Sequence, residues 1–223
     1  MHSLKDLPTA ERPGLVIGAV TRREEPGDGL VSRDGSGFEQ LPQGARVGTS
    51  SLRRAAQLRA ARPDLRPESI RGNVETRLRK LDEGLFDAIV LAQAGLRRVG
   101  LEGRMTEALP LSLMLPAPGQ GALAVQRRAD DAAAARLLEP LHDPTTWAAV
   151  SAERAFLAAL EAGCSAPVAA YAEVRDGRLE MRGLSASEDG ACVRRVFGTG
   201  DPTRPEELGR RLAAEIRELE KSP

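Results

Sequence analysis

Between Arg46 and Ala92 the sequence alternates short strand-like runs with helix-length segments, and this alternation restricts the fold more than any other feature of the 223 residues. Arg46-Val47-Gly48 reads as a strand, residues 52–61 as a helix stopped by Pro63, and Ser69-Ile70-Arg71 as a second short strand. Val74, Leu78 and Leu81 recur at helical spacing ahead of Gly84, which is placed to cap that helix. Residues 86–92 are apolar except for Asp87, close to the pattern of a strand covered on both faces. Strand and helix in alternation predict a parallel, doubly wound α/β sheet over residues 27–115. Residues 24–37, rich in Gly, Asp and Ser, read as a connection.

The flanking segments have a different character. Residues 15–20 read as a strand, and Pro116-Ala117-Pro118-Gly119-Gln120-Gly121 as a stiff hinge. Residues 122–126 have the character of a strand returning to an earlier sheet, followed by a helix over 130–138. Residues 146–162 read as one helix with Trp147, Val150, Leu157 and Leu160 broadly on one side. Strands at 168–174 and 178–184 are joined at Asp176-Gly177, a hairpin signal, and 192–197 is a third strand. Pro205 opens a last helix with Leu208, Leu212, Ile216 and Leu219 in a stripe. The expected division is residues 1–26 with 116–140, then 27–115, then a small α+β domain over 141–223.

Composition narrows the function classes. The 32 basic and 32 acidic residues balance, and only 3% of residues are aromatic. Neutrality and so few rings argue against a nucleic-acid binder, and no apolar run approaches a bilayer span. Residues 1–10 carry Lys5 and Asp6 and lack the apolar core of a signal peptide. With two cysteines, Cys164 and Cys192, the expected compartment is a reducing cytoplasm. Only three of the 32 basic residues are lysine, and Arg46 to Arg98 holds 12 basic against six acidic residues. One basic segment in a neutral chain suggests an anionic ligand held locally.

Four segments could carry chemistry. Lys5-Asp6 before Pro8 offers a carboxylate beside an ammonium, or a frayed start with a solvated ion pair. Gly48-Thr49-Ser50-Ser51-Leu52-Arg53-Arg54 places free N–H groups, a helix dipole and two guanidiniums together, an anion site unlike a Walker loop. The same residues also suit an ordinary serine cap with exposed arginines. Arg71, Arg77 and Arg97-Arg98 lie near other strand ends, where open α/β sheets bind ligands. Cys164, between Gly163 and Ser165, reads as a small buried residue or as a nucleophile. Two Cys and two His are too scattered for zinc, and His142 has no triad partner, so no metal is expected.

Taken in order, His2-Ser3-Leu4-Lys5-Asp6-Leu7-Pro8-Thr9, Gly48 to Arg54, and Arg71-Gly72-Asn73-Val74-Glu75-Thr76-Arg77 resemble the porphobilinogen deaminase (hydroxymethylbilane synthase) family. So do Leu115 to Gly121 and Gly163-Cys164-Ser165-Ala166-Pro167. The resemblance implies a transferase of tetrapyrrole and heme biosynthesis that joins four porphobilinogen molecules and releases ammonia at each step. It implies a dipyrromethane cofactor held by a thioether on Cys164, with Asp6 as the catalytic carboxylate. It assigns Lys5, Thr49, Ser51, Arg53, Arg54 and Arg71 to the cofactor, Arg77 and Arg98 to substrate carboxylates, and Gln120 and Gly121 to the hinge. Cys192 matches no family role and is read as structural. The implied fold is two periplasmic-binding-protein-like doubly wound domains, the first incomplete, plus the C-terminal α+β domain. The implied unit is a cytoplasmic monomer without nucleic-acid or membrane partners.

The family pattern begins earlier than Met1, with an Arg/Ser motif and a Gly-Lys-Gly-Leu-Phe segment. The expectation is a start codon placed too late, with the 223 residues alone aggregation-prone and inactive. A non-catalytic two-lobed receptor for an anionic ligand is the alternative, and a nucleic-acid module built on residues 46–98 a weaker one.

Overall fold

The computed structural model describes residues 1–10, 12–160 and 167–221. Three sheets organise the chain. The first has β1 (His2–Ser3), β2 (Leu15–Val20) and β8 (Leu123–Arg128), in the order β1-β8-β2 and antiparallel throughout. The expected return of the chain after the hinge is therefore found, with β8 between the two N-terminal strands. Helix α4 (Ala132–Leu138) follows it.

The second sheet has the order β5-β4-β6-β3-β7, from β3 (Asp28–Ser32), β4 (Arg46–Gly48), β5 (Arg66–Glu68), β6 (Ala88–Ala92) and β7 (Glu107–Ala108). Strand β4 runs parallel to β5 and β6, whereas β3 is antiparallel to β6 and β7. Side chains alternate across it: Leu30, Val47, Ala88 and Val90 pack with Leu58, while Val31, Ile89 and Leu91 pack with Leu78, Leu81 and Leu96. Helix α1 (Leu52–Ala61) thus covers one face, and α2 (Val74–Asp82) with α3 (Gln93–Arg98) the other. Asn73 caps α2 by accepting from the Thr76 N–H at 2.9 Å.

The sheet is therefore mixed rather than parallel as expected, because β3 enters it antiparallel to both neighbours, and two further expectations need correction. Residues 24–37 are not simply a connection, because 28–32 form a fully buried strand. With only Leu30 and Val31 apolar, the strand is specified by its neighbours on both sides and by the ion pairs of Asp28, not by propensity. The second strand lies at Arg66–Glu68 rather than at 69–71. Pro67 has no N–H to give, which suits the sheet edge that β5 occupies. Ile70 is buried beyond the strand, among the α2-side core residues.

The third sheet is an antiparallel meander, β9 (Val168–Arg175), β10 (Arg178–Ala186) and β11 (Val193–Gly200), with the expected hairpin at Asp176 (φ 50°) and Gly177 (φ 75°). Helices α5 (Pro144–Ala159) and α6 (Pro205–Lys221) cover one face. Asp143 caps α5 through the Thr146 N–H at 2.6 Å, and Pro144 sits in its first turn. The two helices meet closely at Gly209, where a Cβ would press on the Ala152 carbonyl oxygen.

Candidate active site

Strand β4 ends at Gly48, and the chain turns through Thr49-Ser50-Ser51 into α1. The Thr49 N–H donates to the Glu68 carbonyl at 2.8 Å, and the buried Thr49 hydroxyl accepts from the Ser51 N–H at 3.2 Å. Ser51 caps α1 by accepting from the Arg54 N–H at 3.4 Å. Ser50 Oγ donates to the Ile70 carbonyl, tying this turn to the segment after β5. The first turn of α1 carries Arg53 and Arg54 and no acid, the wrong sign for the positive end of a helix dipole.

Asp28 on β3 compensates. Its carboxylate is fully buried, 2.8 Å from Arg53 Nη1 and 2.6 Å from Arg54 Nη2. Arg53 Nη1 also donates to the Leu115 carbonyl at 2.7 Å, and Arg54 Nη1 to that of Val90 at 3.0 Å. Burial alone would raise the Asp28 pKa, but the Arg53 and Arg54 charges outweigh it and hold the group well below the carboxylate range. Gln120 donates to Asp28 Oδ1 at 2.8 Å and to the Pro26 carbonyl at 2.7 Å, and accepts from Lys5 Nζ at 3.3 Å. A continuous polar chain therefore runs from Lys5 through Gln120 and Asp28 to the arginine pair. Burial, followed by the Arg54 charge, lowers the Lys5 pKa to about 8.

These groups border a cleft of about 840 Å³ lined by Lys5, Asp6, Ser51, Arg53, Arg54, Arg77 and Gln120, among others. Its size lies within the ~300–1,000 Å³ of small-molecule sites. Asp6 is exposed at the end of the 3₁₀ turn Leu4–Asp6. Arg154 of α5 steadies the segment by donating to the carbonyls of Leu7 at 3.1 Å and Pro8 at 2.7 Å. Arg77 of α2 donates to the Gly72 carbonyl at 2.8 Å, and burial together with the Arg54 charge lowers its pKa.

Residues 1–136 match the family described as "Porphobilinogen deaminase, dipyromethane cofactor binding domain", and residues 147–218 match "Porphobilinogen deaminase, C-terminal domain". The chain belongs to the porphobilinogen deaminase family. It is 53% identical over 219 residues to the porphobilinogen deaminase of Desulforudis audaxviator, covering 98% of this chain and 71% of the relative. That of Syntrophobacter fumaroxidans is 49% identical over 216 residues, covering 97% and 70%. A periplasmic binding protein from Brucella ovis with glutathione bound aligns at a TM-score of 0.38 and 19% identity, over 66% of this chain and 44% of that one. A likeness of that order carries no argument.

Not every residue expected at a porphobilinogen deaminase site lines the cleft. Thr49 lies behind it as a buried support for the α1 turn. Arg71 is exposed and outside the lining, and its carbonyl accepts from Lys80 Nζ at 3.0 Å. Arg98 is also outside, donating to the Gly121 carbonyl at 2.8 Å. Gly121 (φ +90°) faces the Glu24 carbonyl oxygen so closely that a side chain there would displace it. Cys164 lies outside the described residues. Cys192, read as structural, is exposed in the β10–β11 loop, where its N–H donates to Ser187 Oγ at 3.0 Å. His142 accepts from the Val20 N–H at 3.3 Å and stands 5.7 Å from the Trp147 ring.

Sequence reasoning missed Asp28, Arg23 and Glu153. Glu153 is fully buried on α5 and accepts from Arg23 Nη1 at 2.6 Å, Arg23 Nη2 at 3.1 Å, the Gly119 N–H at 2.7 Å and the Ala172 N–H at 2.7 Å. Arg23 also lies 5.2 Å from the centre of the Tyr171 ring. One carboxylate thereby joins the exit of the first sheet, the hinge and β9. The available signal was a glutamate on the same face of α5 as Ala149 and Phe156.

Proposed function

We propose that this chain acts as a porphobilinogen deaminase, joining porphobilinogen units into hydroxymethylbilane with loss of ammonia on a dipyrromethane group held by Cys164. The observation that carries this reading is the charge of the cleft. Lys5, Arg53, Arg54 and Arg77 line it with one carboxylate, Asp6, while a second, Asp28, is sealed behind the arginine pair. The Nε atoms of Arg53 and Arg54 are buried without a hydrogen-bond partner, and Arg54 presses the pKa of both Lys5 and Arg77 downward. A cleft with surplus, partly desolvated cations is suited to a ligand bearing several carboxylates, and a two-pyrrole acid fits that description.

Bound dipyrromethane would supply the free pyrrole carbon that primes the chain by accepting the first unit, each later unit joining the one before it. The protein's own part divides between its two carboxylates. Asp28 is sealed between two guanidiniums and kept ionised, so it is unsuited to exchanging protons. Asp6, exposed at the rim, is the group free to protonate a departing amine and to stabilise positive charge on a pyrrole nitrogen. Arg53, Arg54 and Arg77 bind the acidic side chains and Lys5 adds a fourth positive charge, while Arg71 and Arg98 stand ready beyond the lining for a longer oligomer. We infer the division into 1–26 with 116–140, 27–115 and 141–223, with Lys5, Asp6 and Gln120 contributed to the cleft by the first unit and Arg53, Arg54 and Arg77 by the second. We take the setting to be a reducing cytoplasm, which keeps Cys164 a thiol until dipyrromethane is attached, and the working unit to be a monomer.

The experiment is to incubate the protein, expressed from its gene, with porphobilinogen and to measure ammonia and linear tetrapyrrole together. The reading predicts four ammonia per tetrapyrrole, one for each unit joined. Asp6→Asn lowers kcat by about 100-fold or more. Binding without ammonia release would favour the non-catalytic receptor instead.

A further inference from the structure

Asp28 is the cleft feature that the proposed chemistry leaves without a task. It lies on a strand whose five residues are all buried and is itself fully covered, so it does not reach a ligand. Its two oxygens nevertheless engage both guanidiniums of α1, Oδ1 with Arg54 and Oδ2 with Arg53. Each guanidinium is held a second time, by the Leu115 or the Val90 carbonyl, and Gln120 fixes the carboxylate from a third direction. Attraction alone does not explain this arrangement. A negative charge behind two arginines weakens the pull of the cleft on an anion and adds the cost of burying three charges. What the carboxylate does provide is direction: two like charges in one helical turn would otherwise turn away from each other.

We propose that Asp28 is a positioning residue, a buried carboxylate that fixes the Arg53 and Arg54 guanidiniums side by side as a paired receptor for ligand carboxylates. This rests on the reading of the cleft as an acid-binding site. It gives β3 a functional reason to be buried where its sequence is polar.

Charge and position predict opposite signs, which makes the test direct. The full chain is titrated calorimetrically with citrate, a tricarboxylate that cannot condense, in a Cys164→Ser background, so that no tethered dipyrromethane already occupies the arginine pair. Asp28→Asn keeps the shape and removes the charge, whereas Asp28→Glu keeps the charge and moves it by one methylene. Positioning predicts that both variants bind citrate about 10-fold more weakly or worse, since each loses the paired geometry. Charge alone predicts tighter binding by the Asn variant and no change in the Glu variant. The pH at which citrate binding fades on the alkaline side adds a readout that a purely structural role would not move. It reports Lys5, which is faced by Asp6, Asp28, Arg53, Arg54 and the Gln120 amide, and it shifts downward in the Asn variant only.

Thermal melts establish that each variant is folded, and if the Asn variant fails, the Glu variant decides alone. No citrate binding by the Cys164→Ser parent, unchanged or tighter binding by a folded Asp28 variant in that background, or an unmoved alkaline midpoint in the Asn variant overturns the proposal. Porphobilinogen is absent from the titration. If this test is passed and the protein with Cys164 intact makes no linear tetrapyrrole, the enzymatic reading is overturned and the positioning role stands.

Discussion

Lys5 shows how one side chain links the interior of this cleft to pH. Burial and the neighbouring arginines bring its pKa from 10.5 to about 8, with Asp28 and Asp6 opposing the change. Between those two values the unfolded chain binds more protons than the folded one, so stability rises with pH across the window as the buried charge is relieved. Function runs the other way, because an anionic ligand needs the ammonium. The expected result is that citrate binding by Cys164→Ser, which carries no tethered acid, falls above about pH 8 with the slope of a single proton. Lys5→Arg in that background, which does not titrate there, should remove that fall. Citrate binding by Cys164→Ser that stays flat to about pH 10 contradicts the assignment.

At the scale of elements, packing explains both what the sequence revealed and what it hid. Helix α6 was legible because Leu208, Leu212 and Ile216 repeat at helical spacing and bury against α5 and the third sheet. The same packing makes Gly209 sensitive: Gly209→Ala drives a methyl group at the Ala152 carbonyl and should cost about 1–3 kcal/mol in urea unfolding, with an unchanged m value. A Gly209→Ala protein as stable as the parent would show that the helices can separate freely. Strand β3 was hidden for the opposite reason. Asp28 and Gly29 carry no strand propensity, and only contacts with β6 and β7 and the ion pairs to α1 make the segment extended. The motif residues at Lys5, Asp6, Ser51, Arg53, Arg54 and Arg77 were legible as chemistry, and the fold brings them to one cleft. Their shared counter-ion was not, since nothing in a Gly- and Asp-rich stretch distinguishes a buried aspartate from a turn.

Across the whole molecule, polar contacts couple the parts at several points, and two of these are buried. Gln120 connects Lys5 of the N-terminal segment to Asp28 of the second sheet, and Glu153 connects Arg23, the hinge and β9. Glu153→Gln preserves shape but strands Arg23, whose side chain is only 11% exposed, and should lower unfolding stability by about 3 kcal/mol. Chemical denaturation measures this, and a loss within about 0.5 kcal/mol would mean that the junction does not depend on the ion pair. The central claim, that a thiol anchors an acidic oligopyrrole against paired guanidiniums, is tested most directly by mass. Denaturing mass spectrometry of the protein purified from its gene should show two pyrrole units attached at Cys164, absent in Cys164→Ser. An unmodified mass for the active parent protein, or an adduct that survives in Cys164→Ser, would contradict it.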